Sequence, residues 1–473
     1  MRLRHLTLTS TLTCALLGGA GVPAAAARPA PAPPVRGDFN GDGYADLAAG
    51  MPDASAAGRT GAGRVSVVWG GPRGLGAHGS ADYGQDSPGV PGTAETGDHF
   101  GHAVAPGDLN GDGYADLAVS APDETLDTPG ASHQGAVYVL WGSARGLTSG
   151  TTTAKGSHDD ARIGGLLDTG DYDHDGHGDL VLDTTGDETS GILLRRGPQT
   201  AAATPATVRG WHFSRPAALT TADFDGDGRD DLAVTYGGSE DQGTFVASLA
   251  AGAWTTSWST GDHGSALAAG DFDGDRRTDL AIGLVVPNSE TERTDCPKDR
   301  TGGAVAVVTG APGTVLGGAA DCTTQDTPGV GGAAEPEDDF GAALATVHGT
   351  GRDSLLVGVP HEAVGTRRAA GAYALLGTAP GSPLLTGAPA TQNTARVAGT
   401  AETGDRFGTA VAAADFDGDG HADAAIGTPG ENGATGGVWY RPAAQPPFPD
   451  TVAVTPARLG LTGAVRHGAV LGR

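Results

Sequence analysis

The sequence has 473 residues, 56 of them acidic and 29 basic, and a formal net charge of −27, which argues against nucleic acid and anionic membrane surfaces as partners. Its 81 Gly and 30 Pro approach the share found in low-complexity disordered chains. Such chains lack regularly spaced strand patterns, and this one has them, so the glycines read as turn residues.

Residues 1–27 have the make-up of a signal peptide. Arg2 and Arg4 give a basic start, residues 6–22 are mostly apolar, and Ala25-Ala26-Ala27 suits cleavage. No later stretch holds the roughly 20 uninterrupted apolar residues of a membrane span. The mature chain is therefore expected outside the cell, as a monomer. Residues 28–36 read as a Pro/Ala-rich linker, and residues 37–473 as one repeat domain.

The repeat is clearest over residues 98–142. Phe100-Gly101 opens a short strand at 103–105, and an acidic loop of nine residues follows. An apolar run at 117–119 ends in Ala121-Pro122, and Gly135 then introduces an alternating strand at 136–141. The loop is Asp108-Leu109-Asn110-Gly111-Asp112-Gly113-Tyr114-Ala115-Asp116. Side-chain oxygens at positions 1, 3, 5 and 9, with the backbone carbonyl of position 7, suit one hard cation. Ca²⁺ accepts about 6–8 oxygens in irregular geometry, and Gly at position 6 permits the sharp turn.

Five further copies of the loop are intact. The first is Asp38-Phe39-Asn40-Gly41-Asp42-Gly43-Tyr44-Ala45-Asp46, followed by an apolar run at 47–51 and a strand at 64–69. The third is Asp171-Tyr172-Asp173-His174-Asp175-Gly176-His177-Gly178-Asp179. The fourth is Asp223-Phe224-Asp225-Gly226-Asp227-Gly228-Arg229-Asp230-Asp231. The fifth, Asp271-Phe272-Asp273-Gly274-Asp275-Arg276-Arg277-Thr278-Asp279, has Arg276 at position 6, where a left-handed backbone costs about 1 kcal/mol or more and predicts a weaker site. The last is Asp415-Phe416-Asp417-Gly418-Asp419-Gly420-His421-Ala422-Asp423. Up to six Ca²⁺ are expected, and they would bring the charge from −27 to −15. An EF-hand would need Glu at position 12, but Ala49, Val119, Leu182, Val234, Ile282 and Ile426 stand there, so each loop is the tip of a β-hairpin.

A seventh copy has lost its acids. It runs from Phe340-Gly341 to a strand at 355–359, and its loop His348-Gly349-Thr350-Gly351-Arg352-Asp353-Ser354 keeps one carboxylate. Copies recur about every 63 residues, room for four strands of about five or six residues with their turns. Seven such units predict an all-β fold, a seven-bladed β-propeller.

Phe-Gly, the D-x-[D/N]-x-D-G-x-x-D loop and Leu-Ala-x-x-Ala-Pro together resemble FG-GAP repeats, as in the seven-bladed head of integrin α-subunits. The resemblance covers residues 37–473 and is strongest where Phe100-Gly101 and Phe407-Gly408 stand eight residues before the loop. Ile163-Gly164, Arg215-Pro216 and His263-Gly264 take that place in the third to fifth copies. The resemblance implies calcium-stabilised extracellular recognition, often adhesion, with no named partner. An extracellular protein or glycan is the expected class.

Export predicts that Cys296 and Cys322 pair, closing a loop worth about 3.5 kcal/mol. Arg36-Gly37-Asp38 spells an adhesive tripeptide, but Asp38 is already a metal ligand. Enzyme signatures are missing: no G-x-S-x-G occurs, and His361-Glu362 lacks the second His of a zinc helix. A non-catalytic module is expected. A calcium-dependent polysaccharide lyase or hydrolase is one alternative. A lectin-like propeller that stacks sugars on Trp254 or Trp258 is the other, Trp69, Trp141 and Trp439 reading as core. Ring closure is assigned to a strand within residues 458–473, pairing beside 47–50, with Arg458-Leu459-Gly460 mirroring Arg406-Phe407-Gly408.

Overall fold

The computed structural model describes residues 37–126, 132–186, 189–199, 204–239, 241–250, 252–285, 296, 301–378, 385–387, 389–443 and 451–472. The predicted signal peptide, the linker and Arg36 lie outside the described residues.

Seven antiparallel sheets form a β-propeller. Each blade counts outward from an inner strand, and chain order equals spatial order except in the first. The second blade, Val104–Gly107, Asp116–Ala121, Ala136–Trp141 and Ser149–Lys155, is the pattern for the rest. Its second and third strands are buried nearly throughout, because neighbouring blades cover both faces. They therefore read as continuous apolar runs (Leu117-Ala118-Val119, Val137-Tyr138-Val139-Leu140) rather than as alternation. The copy without acids makes an ordinary blade on Ala343–Val347, Ser354–Val359 and Ala372–Thr378, with two short outer strands.

The FG-GAP glycines are explained by contacts between blades. Phe100, Phe340 and Phe407 are buried and bridge in parallel to Gly63, Gly303 and Gly371 of the preceding blade. The glycine after each Phe passes over a glycine in the preceding blade's second strand. A Cβ on Gly50, Gly283 or Gly358 would sit 2.0 Å from the carbonyl oxygen of Gly101, Gly341 or Gly408. No side chain fits there.

The first blade completes itself with the chain end. Val470–Leu471 pairs with Gly50 and Ala49, inside Leu47–Met51. The expected mirror at Arg458-Leu459-Gly460 is corrected: residues Pro456–Leu459 form a 3-10 turn that Gly460 ends at φ +75°. Arg466-His467-Gly468 takes the Phe-Gly place instead, with His467 fully buried and bridging Gly436 as Phe407 bridges Gly371. In the fourth blade Arg215 is exposed while Ser214 and Pro216 are buried, and the register shifts just after Pro216. Ile163-Gly164 keeps the usual geometry, Ile163 being buried and Gly164 at φ +86°.

Cys296 and Cys322 form a disulfide on the fifth blade. Trp439 is core, and Trp69 and Trp141 are partly buried. Trp254 packs edge-on against Tyr172 at 5.3 Å and Trp258 against the core between the fourth and fifth blades, so neither ring is a free platform. Among the described residues no helix is long and apolar enough to cross a membrane.

Candidate metal centres

In six blades this loop joins the first strand to the second, and in the first blade it leads into the second strand, so all seven loops lie on one end of the ring. Each intact loop is wound by its own carboxylates. In the first, Asp38 Oδ1 accepts the amides of Gly41 and Asp42 at 2.6 and 3.1 Å, and Oδ2 accepts that of Gly43 at 2.8 Å. Asn40 and Asp42 each accept the amide two residues on. The second, fourth and last loops repeat these bonds almost atom for atom. Bending the chain this tightly takes left-handed backbone at position 4 as well as position 6. Gly41 is at φ +72° and Gly43 at φ +90°. The need at position 4 was not anticipated from the sequence. His174 meets it at φ +58°, and Arg276 meets the position-6 need at φ +70°, the strain expected for the fifth loop.

The position-9 carboxylate is the buried anchor. Asp46, Asp116, Asp179, Asp231, Asp279 and Asp423 are nearly inaccessible to solvent. One oxygen of each accepts the position-2 amide; in five loops the other accepts an amide at the end of the third strand, such as Gly70 to Asp46 at 2.9 Å. Burial, with the carboxylates of positions 1, 3 and 5 adding to it, pushes Asp46, Asp116, Asp279 and Asp423 up to about 7 and Asp179 and Asp231 up to about 6. Burial penalises the charged form there more than the amides that reach these oxygens offset, and a cation would favour it again.

The donor set fits a hard cation. In four loops the carboxylates of positions 1, 3 and 9 offer oxygens within 4.8 Å of one another: Asp171/Asp173/Asp179, Asp223/Asp225/Asp231, Asp271/Asp273/Asp279 and Asp415/Asp417/Asp423. The first two loops have Asn40 and Asn110 at position 3, which offer an amide oxygen instead. One oxygen of Asp173 is buried without a partner among the described residues. Oxygen-only sets of this kind suit Ca²⁺ better than zinc or copper. The position-12 residues are all fully buried in second strands; five of the intact loops are hairpin tips, while the first leads into Leu47–Met51, whose inner neighbour is Val470–Leu471. In the seventh, degenerate loop the one carboxylate, Asp353, is spent on the amides of Asp271 and Gly349 and on His348.

Neighbours differ from loop to loop. Tyr440 donates to Asp417 and Asp423 at 3.2 Å each, while Arg196 pairs with Asp173 and Arg277 with Asp275, each at 3.3 Å. The two arginines compete with a cation for those oxygens.

At the opposite end the sequence reading missed a repeated clasp. Gln85, Gln325 and Gln392 donate to Glu124, Glu362 and Glu431 of the next blade at 2.6–2.7 Å. A signal existed, since each Gln stands 15 residues before its Phe-Gly.

The family model described as FG-GAP repeat matches residues 35–68, 100–140 and 407–440. The chain carries FG-GAP repeats. An FG-GAP-like repeat model matches residues 223–282 as well, which brings the fourth and fifth loops into the same pattern although they lack Phe-Gly. Phosphatidylinositol-glycan-specific phospholipase D of Bos taurus is 36% identical over 147 residues, 31% of this chain and 17% of that protein. Integrin alpha-PS5 of Drosophila melanogaster is 29% identical over 159 residues, 31% of this chain and 16% of that one. Integrin alpha pat-2 of Caenorhabditis elegans is 38% identical over 125 residues, 24% and 10%. The matches thus span under a fifth of these relatives' length. Among solved structures, the exotype rhamnogalacturonan lyase YesX overlaps 85% of this chain and 74% of its own at 16% identity and a TM-score of 0.40.

Proposed function

We propose that this FG-GAP propeller is a secreted, calcium-loaded recognition module that binds an extracellular protein or glycan and performs no chemistry. The observation that carries the calcium reading is the gathering of three carboxylates within 4.8 Å in four loops around one end of the ring. Residues at positions 1, 3, 5 and 9, with the carbonyl of position 7, would hold up to six ions. The disulfide and the signal-like residues 1–27 support a place outside the cell. The adhesion reading leans on the integrin alpha resemblance.

Calcium counting and melting test the metal half. At about 0.1 mM affinity and about 1 mM calcium, each site contributes about 1.4 kcal/mol by mass action. EDTA should therefore lower the melting midpoint by many degrees, and an unchanged midpoint sinks the calcium reading. Incubation with phosphatidylinositol-glycan and with pectic polysaccharide tests the other half. No product is expected, and turnover of either would make the chain an enzyme.

A further inference from the structure

The acidic loops are stitched to one another around the ring, and the stitches are uneven. The side chain at position 7 of one loop lies over the position-4 glycine of the loop before it. A Cβ on Gly418 would fall 2.5 Å from the Tyr44 ring, one on Gly41 2.5 Å from the Tyr114 ring, and one on Gly111 2.6 Å from His177. At the same junctions the position-8 amide donates to the position-1 carbonyl of the preceding loop: Ala45 to Asp415 at 3.2 Å, Ala115 to Asp38 at 3.0 Å and Gly178 to Asp108 at 2.9 Å. The position-8 contacts run on, from the Asp230 amide to the Asp171 carbonyl at 3.2 Å and from Thr278 Oγ1 to the Asp223 carbonyl at 2.7 Å, but the position-7 cover stops. Position 4 of the third loop is His174, and a Cβ on Gly226 of the fourth would meet nothing within 4 Å. The fifth loop is covered again, but by Arg352, which belongs to the loop without acids.

We propose that the last, first, second and third loops load calcium as one coupled group, with Tyr44, Tyr114 and His177 as positioning residues for the neighbouring loop's ion, while the fourth and fifth load independently. This rests on the calcium reading above. The position-1 carboxylate points correctly only while the amides of positions 4, 5 and 6 turn towards it, as Asp38 shows. Tyr114 and Ala115 hold both ends of that turn, at Gly41 and at the Asp38 carbonyl. Tyr114 is itself position 7 of the second loop, whose carbonyl would ligate the second ion. Ordering the second loop therefore orders the first, and linkage makes the effect reciprocal.

The test is calcium titration of the full chain by calorimetry, with bound calcium counted after equilibrium dialysis. Parent, Asp112→Ala (second loop), Asp227→Ala (fourth loop), Tyr114→Ala and Tyr114→Phe are compared. Coupling predicts that Asp112→Ala loses its ion and raises the calcium needed to half-fill its neighbours by roughly 5-fold or more, the low end of measured couplings. Asp227→Ala should lose one ion and leave the others where they were. Tyr114→Ala should keep its stoichiometry at saturation but weaken one further site, and Tyr114→Phe, which keeps the ring, should restore it. Should Asp112→Ala fail to fold, the two Tyr114 variants decide alone. If Asp112→Ala and Asp227→Ala each remove one ion without moving the rest, or Tyr114→Ala titrates like the parent, coupling is overturned while the calcium reading stands. A parent that binds no calcium overturns that reading, and coupling with it.

Discussion

Two residues carry sharply different burdens in this ring. Asp417 is one of three carboxylates gathered in the last loop, and Tyr440 hydrogen-bonds to it at 3.2 Å. Asp417→Ala should lower bound calcium by one ion per chain, counted in the purified variant. Replacing His348 with Ser should change nothing, because its loop has no acid set; loss of an ion there would contradict the assignment. His467 works through burial instead. Its Nε2 lies 2.9 Å from Ser66 Oγ, its Nδ1 has no partner among the described residues, and burial lowers it to about 4 from 6.5. The folded chain therefore binds fewer protons than the unfolded one between those values, and stability falls as pH drops from about 6.5 towards 4, by up to about 3 kcal/mol. Glu124, pushed up to about 7 by burial, slopes the other way, so the comparison needs a variant. Melting from pH 7 to 4 should fall more steeply in the parent than in His467→Phe. Parallel curves would show that His467 does not drive the acid loss.

At the scale of strands, closure is the point of greatest leverage. Val470–Leu471 covers the inner edge of Leu47–Met51, and Val465, His467 and Leu471 are buried with it. Deleting residues 464–473 uncovers that edge and removes two apolar side chains worth about 1.5–3 kcal/mol each. The truncated chain should aggregate on size exclusion or melt far lower, and a monomer of unchanged midpoint would mean that the ring holds without its clasp. The strands themselves were legible, because apolar runs bounded by Gly, Pro and Asp are a local signal. The exact mirror of Phe-Gly was not. Leu459-Gly460 looks more like Phe-Gly than His467-Gly468 does, yet the chain needs the length from 460 to 466 to travel from the seventh blade to the first.

For the molecule as a whole, calcium and the disulfide act on different ends of the folding equilibrium. The ions would stabilise the folded ring by mass action, whereas the Cys296–Cys322 bond, with its ends 26 positions apart, restricts the unfolded chain. Cys322→Ser should cost about 3.5 kcal/mol whether calcium is present or not, read as the drop in midpoint denaturant concentration times the slope. A loss that appears only in EDTA would mean that the two act on the same step.

Sequence alone determined the acidic positions of the loops, the number of blades and the strand that each loop leads into. Each depends on side-chain chemistry within about nine residues or on a pattern repeated seven times, and both survive without knowledge of distant contacts. Tertiary structure decided where the ring closes, which Gln meets which Glu, and that position 7 of one loop roofs position 4 of another. Those contacts join residues from 37 positions apart, as in Gln325 and Glu362, to 401 apart, as in Ser66 and His467. Their partners are chosen by which backbones lie close enough to forbid a Cβ, and that proximity exists only once the blades are packed.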